Sequence, residues 1–174
     1  SDVTIGTALS GGLDSSATIC AMAHLSKESS DRMSNDWQHA YVATFKGTTM
    51  DESAYAKQVT DFLSINSTFV DINPIKAIDK LDNFAYLFED VYLTSPIPMM
   101  LLYGALRENG TIVTIDGHGA DELFGGYPWY HNHEILFEDC FPWSKSQDIR
   151  RSILKDGVLK NGEEYVRQRY LDTI

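Results

Sequence analysis

VTIGTALSGGLDSSATICAMAHL, residues 3–25, decides the fold. Val3 to Leu9 is β-branched and mostly apolar, which predicts a buried strand. Asp14 to Ser26 carries apolar residues at helical spacing, with Ala17, Cys20, Ala21 and His24 or Leu25 on one face. Ser10-Gly11-Gly12-Leu13-Asp14-Ser15-Ser16 lies between them. Two glycines let the backbone turn tightly and come close to a ligand. The following helix aims its free N–H groups and positive dipole end at the same loop, which makes an anion site. The three serines add donors, whereas Asp14 repels phosphate unless a cation lies between them, which predicts Mg²⁺. A turn capped by Ser and Asp is the plainer alternative. The loop has no Gly-Lys-Ser/Thr ending and so differs from the P-loop of kinases and GTPases.

Working outward, strands are expected at 40–45, 68–72 and 111–115. Helices are expected at 51–63, with Asp51 as N-cap, and at 74–89 and 98–108, the last stopped by Asn109-Gly110. The Ser-rich stretch 27–36 reads as an exposed loop. Strands alternating with helices predict an α/β fold with a parallel sheet. Such sheets bind ligands at the carboxyl ends of their strands, so the loops after Leu9, Phe45 and Ile115 are the candidate sites. After Tyr127 the pattern turns aromatic and irregular, followed by expected helices at 147–154 and 162–171.

Strand TIVTI leads into a second glycine-rich run, DGHGADELFGGY, residues 116–127. Asp121 and Glu122 bring carboxylates to the expected ligand end of the sheet, where Asp14 also lies, and the two aspartates could share Mg²⁺ bound to phosphates. A polar turn capping a helix is the alternative. His131 and His133 flank Asn132 at a spacing poor for a metal, with no cysteine cluster beside them.

Composition limits the partners. A net charge of −11 argues against nucleic acid, and no apolar run approaches the length of a membrane span. The same charge means that backbone N–H groups, a few local Lys or Arg, and Mg²⁺ must do the work of holding phosphate. Cys20 belongs to an apolar helical pattern and reads as core; with Cys140 it gives no disulfide framework, which suits a reducing, cytoplasmic setting. No signal peptide is evident, and Ser1 in place of Met marks the start as a processing site or boundary.

SGGLDSS resembles the pyrophosphate loop of the N-type ATP pyrophosphatases, which split ATP between its α- and β-phosphates. With DGHGADELFGGY and the preceding TSPIPMMLLYGALRENGTIVTI, the chain is similar to the asparagine synthase family over residues 3–130. The resemblance implies a Rossmann-like parallel sheet of the adenine-nucleotide α-hydrolase type with a helical C-terminal tail. It implies an ATP-dependent ligase that adenylates a carboxylate, with release of AMP and pyrophosphate. Aspartate giving asparagine is the default; a lactam-forming or other amide synthetase is the alternative, and a non-catalytic ATP-binding scaffold is the alternative of another class. The implied ATP contacts are Ala8, Leu9, Ser10, Gly11, Gly12, Leu13, Asp14, Ser15 and Ser16, with Ala43, Asp116 and Gly117; Asp14 and Asp121 take the metal.

His118 stands where asparagine synthetases of the family carry Glu and β-lactam synthetases carry Tyr, which implies a catalytic or substrate contact. A neutral imidazole can act as base there, since its ordinary pKa is near ~6.5. The expected layout is a synthetase core at 1–130 and a truncated helical extension at 131–174, with the family's N-terminal glutaminase domain absent. A glutaminase or ammonia source, a small carboxylate and ATP are the implied partners, and a homodimer is an open alternative. Neither Lys155 nor Lys160 aligns with the phosphate-stabilising Lys of the family's later segment.

Overall fold

The computed structural model describes residues 3–28, 37–89, 96–136 and 156–173. The expected helix at 147–154, Cys140, Lys155 and most of the 27–36 loop lie outside the described residues. The chain divides into two compact units, Ser1–His118 and Gly119–Ile174.

The first unit holds a four-stranded, wholly parallel sheet of order β3-β2-β1-β4. Its strands are β1 Ile5–Ala8, β2 Gln38–Thr44, β3 Asn66–Asp71 and β4 Val113–Thr114. The chain steps outward from β1 to β3 and then returns to the other side of β1, so the order reverses between β1 and β4. That reversal is the switch point where a parallel sheet opens a crevice at its carboxyl end.

Period-two alternation along β2 builds a core on each face. Ala40 and Val42 pack with Leu9, Ile19 and Ala56, which brings α1 (Leu13–Glu28) and α2 (Ser53–Leu63) onto one side. Cys20 packs against this cluster as a free thiol, as expected. Tyr41 faces the other way, onto Leu102 and Leu106 of α5 (Pro96–Glu108). Fully burying one such Leu or Ile is worth roughly 1.5–3 kcal/mol.

Asn109-Gly110 does end α5. Gly110 is left-handed, its N–H bonds to the Arg107 carbonyl at 3.0 Å, and the Thr111 N–H reaches the Leu106 carbonyl at 3.0 Å. The Tyr41 hydroxyl then meets Thr111 Oγ1 at 2.8 Å in the core.

Three local expectations are corrected. The stretch from Pro74 is not one helix but two, α3 Pro74–Ile78 and α4 Leu81–Phe88, because the Lys80 N–H closes a tighter turn onto the Ala77 carbonyl at 3.0 Å. Asp51 does not cap α2; Glu52 holds that position, and Asp51 Oδ1 accepts the Ser53 N–H from one residue further out. Hydrogen bonds from Ser53, the hydroxyl first, hold the Asp51 carboxyl below its usual range. Strand β4 is only two residues long, since the chain leaves the sheet at the crevice.

In the second unit, α6 Ala120–Phe124 is flanked by left-handed Gly119 and Gly125. A 3₁₀ turn at Pro128–His131, α7 His133–Leu136 and α8 Asp156–Leu171 follow. Tyr127 and Trp129 stack with centroids 4.3 Å apart, and the Tyr127 hydroxyl donates to Glu122 Oε1 at 3.1 Å.

Candidate active site

Each loop that leaves the switch point is shaped by its own backbone demands. Gly11 sits at φ +89°, and a Cβ there would lie 2.6 Å from the Ala56 nitrogen. Only glycine lets the loop lie this close to α2 while turning into α1. Ser10 then braces the turn from inside. Its Oγ accepts the Gly12 N–H at 3.1 Å and lies 2.9 Å from Ser15 Oγ, which in turn accepts the Ser10 N–H at 3.2 Å. The result is a closed serine lattice at the N-terminus of a 16-residue helix, whose first N–H groups have no intrahelical partner.

The loop after β4 closes onto the same place. A Cβ on Gly117 would lie 2.8 Å from the Ser15 nitrogen, so this glycine is what permits the two loops to touch. One residue earlier, the carboxylate of Asp116 bridges β1 and α5. Its Oδ1 accepts the Ala8 N–H at 2.6 Å, and its Oδ2 accepts the Tyr103 hydroxyl at 2.7 Å. The Ile115 N–H still pairs with the Gly6 carbonyl at 3.0 Å, so Asp116 takes over as partner where the β4 backbone departs. Burial first, and then the bond to Asp116 and its negative charge, push the Tyr103 hydroxyl far above its ordinary pKa. Tyr103 is therefore held as a donor.

These loops and α5 enclose a pocket of about 340 Å³. Small-molecule sites are commonly of this size. Ser10, Asp14 and Ser15 line it from the first loop, and Asp116, Gly117 and His118 from the loop after β4. Ala8, Leu9, Ala43, Phe45, Pro98, Met99 and Leu102 make the apolar remainder. The described residues that line it all belong to the first unit. They include two carboxylates, and among the described residues the lining has no Lys or Arg, contrary to the local cations expected from the sequence. Any phosphate held here would rest on N–H groups, hydroxyls and an added cation.

Of the residues read from the sequence, Ala8, Leu9, Ser10, Asp14, Ser15, Ala43, Asp116, Gly117 and His118 meet around this pocket. Five do not line it. Gly11 is turned against α2, Gly12 supports Ser10, Leu13 is 84% exposed, and the Ser16 hydroxyl is buried without a partner. Asp121 belongs to the second unit, where its carboxylate lies against Gly126 at the start of α6. Among the described residues no group of three or more His, Cys, Asp or Glu could hold a metal.

Sequence reading missed Phe45, Pro98, Met99, Leu102 and Tyr103. The sequence predicted a helix at 98–108, but not that its first turns would serve a pocket and its last turn the core.

Comparison with known proteins decides the family. A profile of the asparagine synthase family matches residues 1–174. This chain belongs to the asparagine synthase family.

Among its relatives is the glutamine-hydrolysing asparagine synthetase 3 of Bacillus subtilis, 32% identical across 100% of this chain and 29% of that protein. The glutamine-hydrolysing asparagine synthetase of Zea mays is 33% identical over 80% of this chain and 25% of its own length. A protein named amidase chry2 from Gibberella zeae is 30% identical over 72% of this chain and 20% of its own. The chain thus spans less than a third of the length of the curated relatives it matches. The asparagine synthase family consists of ATP-using ligases, and the parallel sheet with helices on both faces is the fold expected of its ATP-binding domain. Among the described residues no helix is long and apolar enough to cross a membrane.

Proposed function

We propose that the switch-point pocket binds ATP and that the enzyme to which this chain belongs uses it to adenylate a carboxylate and form an amide. One observation carries the reading: the serine lattice at the N-terminus of α1 and the Asp116–His118 loop line a single pocket. Pyrophosphate would rest on the loop Ser10–Ser16, and the nucleoside would lie in the apolar part beside Ala8 and Ala43. Asp14 would hold Mg²⁺ together with phosphate oxygens, and the ion when bound would neutralise charge on the departing pyrophosphate.

In the reaction a carboxylate oxygen bonds to the α-phosphorus, the bond to the bridging oxygen breaks, and pyrophosphate leaves. An amine then bonds to the acyl carbon, AMP departs with the electron pair of the acyl–oxygen bond, and the amine loses a proton. His118 lines the pocket and is the base for that proton. The helix N-terminus stabilises charge on pyrophosphate without being used up.

Aspartate is the default acceptor of the adenylyl group, and ammonia from an upstream glutaminase domain is the default amine. A second reading rests on His118, which is neither the Glu nor the Tyr of the two best-defined branches. It assigns the carboxylate to another acid, with a lactam or a different amide as product. In both readings residues 1–130 form the synthetase core and 131–174 a helical extension, in a cytoplasmic enzyme.

The test is carboxylate-dependent exchange of labelled pyrophosphate into ATP, run on the full-length enzyme with a panel of acids. The account expects exchange with at least one acid. Nucleotide binding without exchange for any acid would instead mark a non-catalytic ATP-binding scaffold.

A further inference from the structure

We infer that Tyr103 and Asp116 form a ribose-reading pair, in which Asp116 accepts a hydrogen bond from a sugar hydroxyl of the nucleotide and Tyr103 positions it. The inference rests on the ATP-binding reading above and adds to it a specificity group and a positioning residue.

Charge sorting within the pocket is the first ground. Asp14 and Asp116 are its carboxylates, and they have different surroundings. Asp14 stands on the first turn of α1, beside the loop suited to phosphate. Asp116 stands where the end of β1 meets that loop: its Oδ1 accepts the Ala8 N–H, its Oδ2 accepts the Tyr103 hydroxyl of α5, and its neighbour Gly117 abuts the Ser15 backbone. A carboxylate there repels phosphate and favours a neutral donor. The hydroxyls of ribose are such donors, and they lie between base and phosphates in any nucleotide.

Capacity is the second ground. An ionised carboxylate offers about four lone-pair sites. Asp116 uses one oxygen for the Ala8 N–H at 2.6 Å and the other for the Tyr103 hydroxyl at 2.7 Å. Each oxygen keeps one site free, and Asp116 lines the pocket. The two bonds it already makes come from different elements, β1 and α5, so the carboxylate is clamped on both sides. An acceptor held this way loses little freedom when it binds a ligand. Tyr103 does not itself line the pocket; it acts through Asp116.

The experiment is calorimetric binding of ATP, 2′-deoxy-ATP, 3′-deoxy-ATP and 2′,3′-dideoxy-ATP to the full chain with Mg²⁺. A hydrogen bond to a charged acceptor corresponds to roughly tenfold to a hundredfold in affinity. ATP should therefore bind at least about tenfold more tightly than dideoxy-ATP, with one monodeoxy nucleotide carrying most of the loss. Tyr103→Phe keeps the ring and removes the hydroxyl; it should shrink that ratio severalfold and leave dideoxy-ATP affinity unchanged. Asp116→Asn should shrink the ratio too.

Equal binding of ATP and dideoxy-ATP by the unmodified chain would overturn the pair while leaving the ATP site intact, and needs no variant. A Tyr103→Phe protein weakened equally toward every nucleotide would reduce Tyr103 to a structural role and overturn the positioning claim. Failure of all four nucleotides to bind would remove the ATP reading itself, and the pair with it.

Discussion

His118 is the residue at which this chain departs from the two best-defined branches of its family, and it lines the pocket from an exposed position. If it removes the proton of the attacking amine, His118→Ala in the full-length enzyme should slow amide formation by about a hundredfold or more while ATP affinity stays nearly constant. His118→Glu should recover part of the rate. Amide formation at the unmodified rate in His118→Ala would make the residue structural. The glycines give a test of the loop itself. Gly11 and Gly47 both have positive φ, but a Cβ on Gly11 meets the α2 backbone and one on Gly47 meets nothing within 4 Å. Gly47→Ala should cost about 1 kcal/mol, from backbone conformation alone, and Gly11→Ala about 2–4 kcal/mol. Equal losses in denaturant unfolding would mean that the contact with Ala56 is not close. SGGLDSS made the loop legible in the sequence because its chemistry is local. Tyr103 was not legible, since only the tertiary fold brings it 2.7 Å from a carboxylate thirteen positions away.

Among the elements, α5 has two tasks, and its sequence announced one. Its amphipathic spacing and its Asn-Gly stop predicted the helix and its end correctly. The division of its face, pocket at Pro98 and Met99 and core at Leu106, follows from the crossover. A helix that returns against a parallel strand starts at the strand's carboxyl end. The Tyr41–Thr111 bond ties the far end of this unit together inside the core. Thr111→Val removes the hydroxyl at nearly constant shape and leaves the buried Tyr41 hydroxyl without its partner. We expect a loss of about 1–3 kcal/mol, and less than the sum of the single losses in Tyr41→Phe/Thr111→Val. Strictly additive losses in that double-mutant cycle would show that the bond contributes nothing. The elements predicted least well were those ruled by context. Strand 111–115 has a strong β pattern, yet only Val113 and Thr114 pair, because the backbone turns away to open the pocket. The helix at 74–89 breaks in two at a turn bounded by Asp79 and Lys80, where exposed side chains hold no packing that would enforce continuity.

For the molecule as a whole, titration of Tyr103 links the site to stability. Its pKa is raised in the folded state, first by burial and then by Asp116. The linked stability is complete below pH ~10, where unfolded tyrosine titrates, and is lost as pH rises from there toward the folded value. Unfolding midpoints should therefore fall more steeply above pH ~10 in the unmodified chain than in Tyr103→Phe. Parallel curves would contradict the raised pKa. The net charge of −11 and the two carboxylates in the pocket lining bear on the central claim directly, because ATP adds further negative charge. The most direct measurement is a calorimetric titration of the chain with ATP, with and without Mg²⁺, repeated on Asp14→Ala. The account predicts saturable binding that depends on Mg²⁺ and weakens in the variant; no binding, or Mg²⁺-dependent binding unchanged in the variant, would contradict it.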